Sequence, residues 1–494
     1  METQNVENIQ KVNQTSAQAV ETKESQSDIL IRLASNADFF SNDLDVAFAA
    51  IEIEGHREVH KVQGRMFRLW LTKLFFEETG KAPSSDAIQQ ALGVMEMTAF
   101  FKGETRKLQL RIAESDGNFY YDLADPSWRA IEISSGKVEL LSKPPILFYR
   151  TGNTKEQAIP DFDGKVSLIL NHIRLKNNHD KILYLVYLVT CLIPNIPHPI
   201  LVVAGEQGAA KSTMIRMTRS IVDPAARTLL TLPTGLQDTA LSIANNYMPC
   251  FDNLDIVTRE KSDLLCMAST GGAFSKRALY TDSEESILEL LRCVTLNGIN
   301  IVAQRADLLD RSIIAELRRV EENERKEERT VWEEFERDKP LILGGALRLL
   351  AEAMSIYPEV QLPKLYRMAD FTRWGYAIAE AAGIGGDKFL EAYKGNLERT
   401  NIQALESHPV AAAVIALLDK KPTWTGSVAE LLETLEFVAI REKINTRVKT
   451  WPKASHALSM RLSEIKSNLE KVGIRFDIRN NGNAKIVTFE TGRL

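Results

Sequence analysis

The spacing of hydrophobic positions changes along the chain, and each change marks a region. Residues 1–28 contain few apolar side chains and many Gln, Asn, Ser and Glu, so they cannot bury enough surface to offset the cost of ordering, and we expect a flexible tail. Over residues 29–160 helical spacing at 67–78 mixes with short alternating segments, which predicts a separate α+β domain. The alternating segments, bounded by Gly, Asp or Pro, are residues 107–114, 117–123, 129–134 and 137–142.

From residue 161 onward the pattern predicts larger α/β and helical regions. Residues 161–340 alternate helix, strand and loop as in an α/β nucleotide-binding core, and their charged end, 318–339, predicts a solvated helix. Residues 341–402 have helical spacing throughout and predict a helical lid. Residues 403–494 predict helices followed by a β-hairpin at 474–489, as in a winged helix.

The overall composition excludes several classes of protein. The 494 residues are 44% hydrophobic and 26% charged with a net charge of -5, so any contact with nucleic acid must come from a local basic patch. The four cysteines form no C-x-x-C pair, which argues against a zinc or dithiol site. The apolar run at 182–193 is too short to span a membrane, and the N-terminus lacks a signal-peptide core. We therefore expect a cytoplasmic protein without membrane contact.

A phosphate-binding loop is the main chemical signal. The segment ILVVAGEQGAAKST, residues 200–213, is an apolar strand followed by G-x-x-x-x-A-K-S and a helical pattern. Phosphates need inward-facing backbone N–H groups, a helix N-terminus, a lysine and a hydroxyl for Mg²⁺, and Lys211 and Ser212 supply the last two. We therefore expect ATP and Mg²⁺ as cofactors. The expected ATP contacts are Gly205, Glu206, Gln207, Gly208, Ala209, Ala210, Lys211, Ser212 and Thr213.

Ala210 occupies the position before the lysine, where such loops usually have glycine. If this position needs only a right-handed helical backbone, the methyl group costs little. If it needs a positive φ, alanine is strained. The pattern alone leaves both alternatives open.

Two further strands are predicted to end in polar side chains. The segment MPCFDNLD predicts a strand ending at Asp252, which would hold Mg²⁺ with Ser212; the alternative is a buried strand capped by a turn aspartate. Asn253 replaces the glutamate that usually activates water, and because an amide cannot take a proton, Asp255 is the candidate base. The next strand ends at Asn297, an amide suited to contact the γ-phosphate or the attacking water.

Arg311 has two interpretations. It follows Asp310 and precedes an apolar strand, so one interpretation is a surface salt bridge. The other is an arginine finger that enters a neighbouring subunit's site and stabilises transition-state charge. The order of phosphate loop, acid, amide and arginine along the chain favours the finger.

This order of motifs resembles the AAA+ ATPase layout. GEQGAAKS is similar to the MCM helicase form G-D-P-G-x-A-K-S, in which alanine also precedes the lysine, and DNLD is similar to the MCM sequence D-E-F-D. The longer segments GEQGAAKST, FDNLD, TGGAFSKRALYTDSEE, LNGI and ADLLDRS, with YYDLADPSWRAIEIS upstream and WPKASHALSMRLSEIKSNLEKVGI downstream, support a closer resemblance. They resemble a bacterial mobile-element and prophage family described as ATP-binding, primase-associated or superfamily 3 and MCM-like helicases.

The resemblance implies both an architecture and partners. The fold would be an α/β AAA+ P-loop ATPase core with an N-terminal α+β domain, a helical lid and a C-terminal winged helix. The protein would form a homo-oligomeric, hexameric ring that acts on single-stranded or forked DNA beside a primase. The catalytic residues would be Lys211, Asp252, Asn253, Asn297 and Arg311, with ATP hydrolysed at subunit interfaces.

Lys276 and Arg277 are candidates for DNA binding by the same resemblance. They lie on the first of two strand-like pieces that flank the sequence TDSEE. In superfamily 3 and MCM helicases a hairpin at this place projects into the central channel and grips DNA. The alternative is a plain surface hairpin with solvated charges.

The C-terminal region has a local excess of basic residues. From residue 441 to 494 there are twelve Lys and Arg against five Asp and Glu. Phosphate neutralisation needs such clustering, and a winged helix can place one helix in the major groove. The candidate DNA contacts are Lys453, Arg461, Lys466, Arg475, Arg479 and Lys485. Winged helices also bind proteins, which is the alternative.

The segment HREVH, residues 56–60, does not predict a zinc site. Its two histidines are four apart as in H-E-x-x-H, but the glutamate is in the third position. The surrounding pattern is also that of a strand, whereas this zinc motif needs both imidazoles on one helical face.

The predicted function is that of a ring-forming ATP-dependent DNA helicase, translocase or replication initiator of a mobile genetic element. Because Asn253 has no carboxylate, an ATP-bound switch that assembles on DNA without translocating is an alternative. A defence or regulatory NTPase with a protein-binding winged helix is another. A small-molecule P-loop kinase is disfavoured, because it needs neither the arginine motif nor the basic C-terminal region.

Overall fold

The computed structural model describes residues 24–254, 257–277, 285–298, 305–448, 450–482 and 484–492. By its internal contacts the chain divides into two compact units, Met1–Lys107 and Leu108–Leu494. The domain expected over residues 29–160 therefore spans this division, because its last strands belong to the second unit. The tail expected over residues 1–28 lies outside the described residues up to residue 23, and a helix begins at Gln26.

The first unit packs helices on a three-stranded antiparallel sheet of order β1-β2-β3. Phe67, Leu71 and Phe75 recur every four residues along one helix, and they are buried in the same cluster as Ala49 and Ile51 of the central strand. This confirms the helix predicted at 67–78. The elements are α1 (Gln26–Leu33), β1 (Asp38–Ser41), β2 (Ala47–Ile53), β3 (His56–Lys61), α2 (Arg65–Thr79) and α3 (Ser85–Phe101).

The second unit begins with the four strands that the alternating segments predicted. They form an antiparallel sheet with order β4-β5-β6-β7. Tyr121 and Ile131 are buried in one cluster with the helices that pack on the central parallel sheet, and the buried Arg111 donates to Asp223 at 3.2 Å. This sheet is therefore part of the core of the second unit. Its strands are β4 (Ile112–Ser115), β5 (Asn118–Asp122), β6 (Ala130–Ser134) and β7 (Lys137–Leu141).

A parallel four-stranded sheet of order β13-β8-β12-β9 forms the centre of the second unit. Strands β9 and β12 lie on one side of β8, whereas β13 lies on the other side. Open α/β sheets bind ligands at the carboxyl ends of strands where the direction switches in this way. The elements are α4 (Asn178–Thr190), β8 (Ile200–Ala204), α5 (Lys211–Val222), α6 (Leu236–Ala244), β9 (Cys250–Leu254), α7 (Arg259–Thr270), β10 (Ala273–Arg277), β11 (Glu285–Glu289), β12 (Thr295–Gly298), α8 (Ala306–Leu309) and β13 (Ser312–Glu316).

Three long helices follow the sheet, namely α9 (Glu328–Ile356), α10 (Ala369–Ala381) and α11 (Gly386–Ser407). Phe371, Phe389 and Tyr393 pack edge-to-face and stacked between the last two helices. Among the described residues, Glu328–Glu359 is long and apolar enough to cross a membrane, as are α11 and the next helix if that bent pair is taken as one span. Half of the apolar window in Glu328–Glu359 is buried inside the protein.

The C-terminal part combines three helices with an antiparallel sheet of order β14-β16-β15. Leu431, Leu435, Leu458 and Leu462 are fully buried and join the helices into a separate core cluster with the sheet. The hairpin predicted at 474–489 is present. The elements are α12 (Pro409–Lys420), β14 (Thr423–Ser427), α13 (Val428–Arg441), α14 (Ser455–Lys471), β15 (Ile474–Asn481) and β16 (Ala484–Thr491).

Candidate functional site

The loop between β8 and α5 closes tightly over the carboxyl end of β8. Gly205 has φ 149° and Gly208 has φ 83°, and L side chains rarely adopt either conformation. A Cβ at Gly205 would lie 3.0 Å from the carbonyl oxygen of Leu317. The loop therefore uses both glycines. The other expected contacts differ in exposure: Glu206 and Gln207 are exposed, Ala209 is buried and Thr213 is half-buried.

Ala210 has φ 59° and ψ 35°, in the left-handed region, and is the N-cap residue of α5. Of the two alternatives left open by the sequence, the structure has the strained one. A left-handed conformation costs an L-residue other than glycine roughly 1–2 kcal/mol. Such strain persists only where the surroundings fix the backbone, and it is concentrated at functional sites.

Lys211 extends back across the loop. Its Nζ donates to the carbonyl oxygen of Gly205 at 2.7 Å and to that of Glu206 at 3.1 Å. The N-terminus of α5 has no side-chain cap, so its first N–H groups lie beside this ammonium group without a side-chain acceptor. Together they concentrate positive charge at one end of the sheet.

Three polar side chains from three different elements meet at the same edge of the sheet. Ser212 Oγ donates to Asp252 Oδ2 at 2.9 Å, and Asn297 Nδ2 donates to Ser212 Oγ at 3.3 Å and also to Asp252 Oδ1. The Oδ1 atom of Asn297 is buried without a hydrogen-bond partner in the described parts of the chain. The structure thus brings together the hydroxyl, acid and amide that the sequence placed at three separate points.

Asn253 sits on a bulge next to this cluster. Thr295 and Leu296 pair with Cys250 and Phe251 of β9, but Gly298 pairs with Leu254, so Asp252 and Asn253 together lie opposite Asn297. Asn253 has φ 55° and is exposed.

Bulges of this kind often lie next to active sites and change the direction of side chains. Asparagine tolerates the left-handed backbone better than glutamate, so the bulge supplies a local reason for an amide at position 253. Asp255, the alternative base, lies outside the described residues.

Arg311 lies at the opposite edge of the sheet. Ser312 pairs with Ile200, the first residue of β8, so Arg311 precedes the amino end of the strand whose carboxyl end leads into the loop. Its Nη1 donates to the carboxylate and to the carbonyl oxygen of Asp307, the latter at 3.0 Å, and its side chain is 17% exposed. The structure does not bring Arg311 to the loop between β8 and α5 of its own chain.

An ion-pair network extends from Arg311 to the C-terminal part. Asp307 also accepts from Arg367 at 2.8 Å, and Arg367 lies 3.4 Å from Asp310, which binds Lys471 at the end of α14. Burial raises the pKa of Asp307, but the hydrogen bond and charge of Arg311 outweigh it and hold the pKa below its usual value. The residues around Arg311 thus contact the C-terminal helix directly.

Buried amides reinforce this connection through α11. Asn396 accepts from the N–H of Ile314 at 3.0 Å and donates to its carbonyl oxygen at 2.7 Å, which ties α11 to β13. Asn468 Nδ2 donates to Asn401 Oδ1 at 2.7 Å, and Asn401 Nδ2 donates to the carbonyl oxygen of Asn468 at 3.0 Å. Helix α11 therefore bridges the strand after Arg311 and helix α14.

Lys276 and Arg277 lie on β10, which pairs with β11 in an antiparallel two-stranded sheet. Lys276 is opposite Ser286 and Arg277 is opposite Glu285. Two antiparallel strands are therefore present at the expected place before β12, and residues 278–284 between them lie outside the described residues.

The six basic residues proposed for the C-terminal part differ in their surroundings. Arg461 lines a cleft of about 450 Å³ that also includes Arg305 and Arg367, and it bonds Glu464 at 2.7 Å. Lys453, Lys466, Arg475, Arg479 and Lys485 are exposed. On the hairpin, Arg475 pairs across with Glu490, and Arg479 bonds Asp477 at 2.7 Å. The local acids thus reduce the basic character of the hairpin.

The segment at 56–60 forms strand β3. His56 and His60 lie on the same face and bond Glu58 between them, at 3.1 and 2.7 Å. Within the described residues no group of three or more His, Cys, Asp or Glu could hold a metal ion. The four cysteines are buried and free.

Two family models match this sequence. Residues 166–402 match the actinomycete integrative conjugative element replication protein, and residues 410–493 match the C-terminal domain of the same RepA proteins. Together the matches cover about two thirds of the chain. The chain belongs to this family of replication proteins. The first match includes the parallel sheet and its loop, and the second covers the C-terminal part with the hairpin. The sequence motifs therefore predicted correctly that this is a replication protein of a mobile element.

Comparisons with other proteins add less. The sequence matches none of the curated proteins. An apo structure of the NrS-1 C-terminal region is similar at 13% identity with a TM-score of 0.42, covering 94% of this chain and 98% of that one. A JCV helicase is similar at 14% identity with a TM-score of 0.24, covering 48% of this chain and 64% of that one. Both likenesses are too weak to establish a shared fold.

Proposed function

We propose that this replication protein is an ATP-dependent DNA helicase or translocase that works as a homo-oligomeric ring. The observation that carries the proposal is the convergence of Ser212, Asp252 and Asn297 beside the loop that ends at Lys211. These groups come from the ends of three parallel strands or their connections. They lie where open α/β sheets bind ligands.

The residues present fit ATP and Mg²⁺. Magnesium keeps several waters and binds through one or two protein oxygens plus phosphates, so Ser212 and Asp252 suffice without a larger acidic cluster. When bound, the ion would neutralise charge that develops on the phosphates. Lys211 and the uncapped N-terminus of α5 would hold the phosphates, and the strained loop would keep its N–H groups in place.

Asn297 would position the attacking water. Its buried Oδ1 atom has no partner among the described residues, so it is available as an acceptor for a water proton. Phosphoryl transfer passes through a loose transition state that needs positioning and charge stabilisation more than a strong base. An amide at position 253 is therefore compatible with turnover.

Arg311 would complete the site of a neighbouring subunit. In its own chain it lies at the other edge of the sheet, so it could contact phosphates only in trans. A ring supplies this arrangement, because each subunit presents one edge to the next. We also propose that the exposed basic residues of the C-terminal part and the β10–β11 hairpin contact DNA.

A second candidate function is supported by the bulge at Asn253. An ATP-bound switch that assembles on DNA without translocating needs binding but not rapid turnover, and position 253 has no carboxylate to act as a base. This candidate uses the same loop and the same Mg²⁺ ligands, so only turnover separates the two.

The test is ATP turnover of the full chain with and without single-stranded or forked DNA. Lys211→Ala is the loss-of-binding variant, and Lys388→Ala, an exposed lysine on α11, is the matched control. We expect DNA to stimulate turnover in the wild type and the control but not in Lys211→Ala. Tight ATP binding without turnover under any DNA condition would overturn the motor and favour the switch.

A further inference from the structure

Helix α2 of the first unit exposes a stripe of apolar side chains. Met66 is 57% exposed, Leu69 is 49% exposed and Phe76 is 59% exposed. With Lys73 they follow the spacing of three and four residues that places side chains on one face of a helix. The opposite face buries Phe67 in the core of the unit, so this stripe is a second apolar face.

Contiguous exposed apolar side chains mark an interaction surface, whereas apolar side chains exposed singly are normal. The neighbouring helix α3 adds exposed Phe100 and Phe101, the latter 83% exposed. Helices α2 and α3 are adjacent, since Arg68 Nη2 donates to Gln89 Oε1 at 3.3 Å.

The charges of α2 are arranged against its own macrodipole. Arg65 and Arg68 lie in its first turn and Glu77 and Glu78 in its last, while the first turn has no acidic and the last turn no basic residue. Helices favour acids near the N-terminus and bases near the C-terminus, so each of the four charges lies at the end of α2 that is unfavourable for its sign. An external partner with the opposite arrangement would remove this cost.

A reversed copy of α2 has that arrangement. We propose that α2 is a self-complementary surface through which two copies of the chain pair, with their α2 helices antiparallel about Leu71. Met66 of each copy then meets Phe76 of the other, and Leu69 packs beside the stem of Lys73. Arg65 of each copy meets Glu77 of the other.

Such a contact is isologous, because each surface contacts the same surface of the second copy. It uses only residues of the first unit. It is therefore independent of the ATPase proposal and of any ring formed by the second unit.

The test is a charge swap in the full-length protein, measured by sedimentation over a range of concentrations without nucleotide. Arg65→Glu alone places two acids together in each half of the pair, and Glu77→Arg alone places two bases together. We expect each variant to weaken self-association by at least about tenfold, because like charges in contact are unfavourable. An equimolar mixture of the two variants restores both opposite-charge contacts, so the mixture should associate like the wild type.

Unfolding of the variants would not explain a loss of self-association. Both substitutions place charges at the favourable ends of α2, so neither should lower the melting temperature. Lys81→Glu, an exposed site after the helix, changes the net charge as Arg65→Glu does and is the matched control. A wild type that stays monomeric, single variants that associate like the wild type, or a mixture that fails to recover would each overturn the proposal and leave the stripe to a different partner.

Discussion

The two edges of the parallel sheet differ in how many of the proposed site residues each holds. At the carboxyl edge Ser212, Asp252 and Asn297 are hydrogen-bonded to one another beside the loop between β8 and α5. At the amino edge Arg311 is paired with Asp307 and lies roughly 16 Å away, the length of the five-residue strand β8. Under the proposed function, one chain would hold most of a nucleotide site at one edge and a separate arginine at the other, so a complete site would need two chains.

The difference also concerns strain. The carboxyl edge holds Ala210 and Asn253 in left-handed conformations, whereas Arg311 is held by an ion pair with Asp307. Strained backbone persists only where the surroundings fix it, so the loop is held in one conformation. Under the proposed function, the fixed loop would cradle the phosphates, and Arg311 would exchange Asp307 for the phosphates in a neighbouring subunit's site.

The largest expected effect is that of Arg311→Ala. We expect ATP turnover to fall by about 10³-fold, because an arginine finger stabilises transition-state charge, while ATP affinity stays near that of the wild type. Steady-state turnover and equilibrium nucleotide binding measure the two quantities. Arg305→Ala, which removes an exposed arginine paired with Asp263, is the control and should retain turnover. An Arg311→Ala protein with unchanged turnover would show that the amino edge takes no part in hydrolysis.

Asp252→Asn tests the carboxyl edge. The substitution keeps the size of the side chain but removes the charge that would hold Mg²⁺, so turnover should fall on the order of hundredfold. Raising the Mg²⁺ concentration should recover part of the loss, and turnover against Mg²⁺ concentration measures it. Asp263→Asn is the matched control on α7. Equal Mg²⁺ dependence in the Asp252 variant and the wild type would refute the metal role.

Ala210→Gly tests the strain in the loop. Because glycine adopts positive φ without steric cost, the free energy of unfolding should rise by about 1 kcal/mol. Ala209→Gly is the control, since Ala209 is buried and has no positive φ, and it should lower the free energy of unfolding by about 0.5–1 kcal/mol or more. Denaturant unfolding monitored at the loop measures both. A destabilised Ala210→Gly would contradict the left-handed backbone.

Asp307→Asn should have the smallest effect of these substitutions, a small decrease in the free energy of unfolding. The folded-state pKa of Asp307 is lowered, so its ion pairs stabilise the protein above the unfolded pKa, and this contribution is lost as the pH falls through the folded pKa. We expect a loss of about 1 kcal/mol or less at pH 7, because the carboxyl group is partly exposed. The difference from the wild type should narrow in acid. Glu333→Gln, which removes one partner of an exposed ion pair on a helix, is the control. If the difference in the free energy of unfolding between Asp307→Asn and the wild type widened in acid, the lowered pKa of Asp307 would be contradicted.

Local patterns predicted much of the fold. Alternation gave strands β4 to β7 and the C-terminal hairpin, because side chains of half-buried strands repeat every two residues. The loop and helix α5 followed from glycine spacing and a helix pattern after an apolar strand. These features depend on neighbours in sequence, which is why they could be read from it.

The remainder depends on contacts distant in sequence. Alternation did not reveal that the β4–β7 sheet joins the second unit, which Arg111 and Asp223 help to fix. Nor could the residue pattern decide the backbone of Ala210, because its φ is set by the closed loop. Arg367 and Lys471 had no local signal, and only the fold brings them to the acids beside Arg311.

Mixing two inactive variants tests the central claim, that the two edges of the sheet form one site only between subunits. Under the proposed function, Lys211→Ala subunits would keep Arg311 but bind no ATP, and Arg311→Ala subunits would bind ATP but lack the arginine. We predict that neither variant alone turns over ATP and that their mixture regains a substantial fraction of wild-type turnover, with the fraction depending on the mixing ratio. No turnover at any ratio, with both variants still assembling with the wild type, would contradict the account.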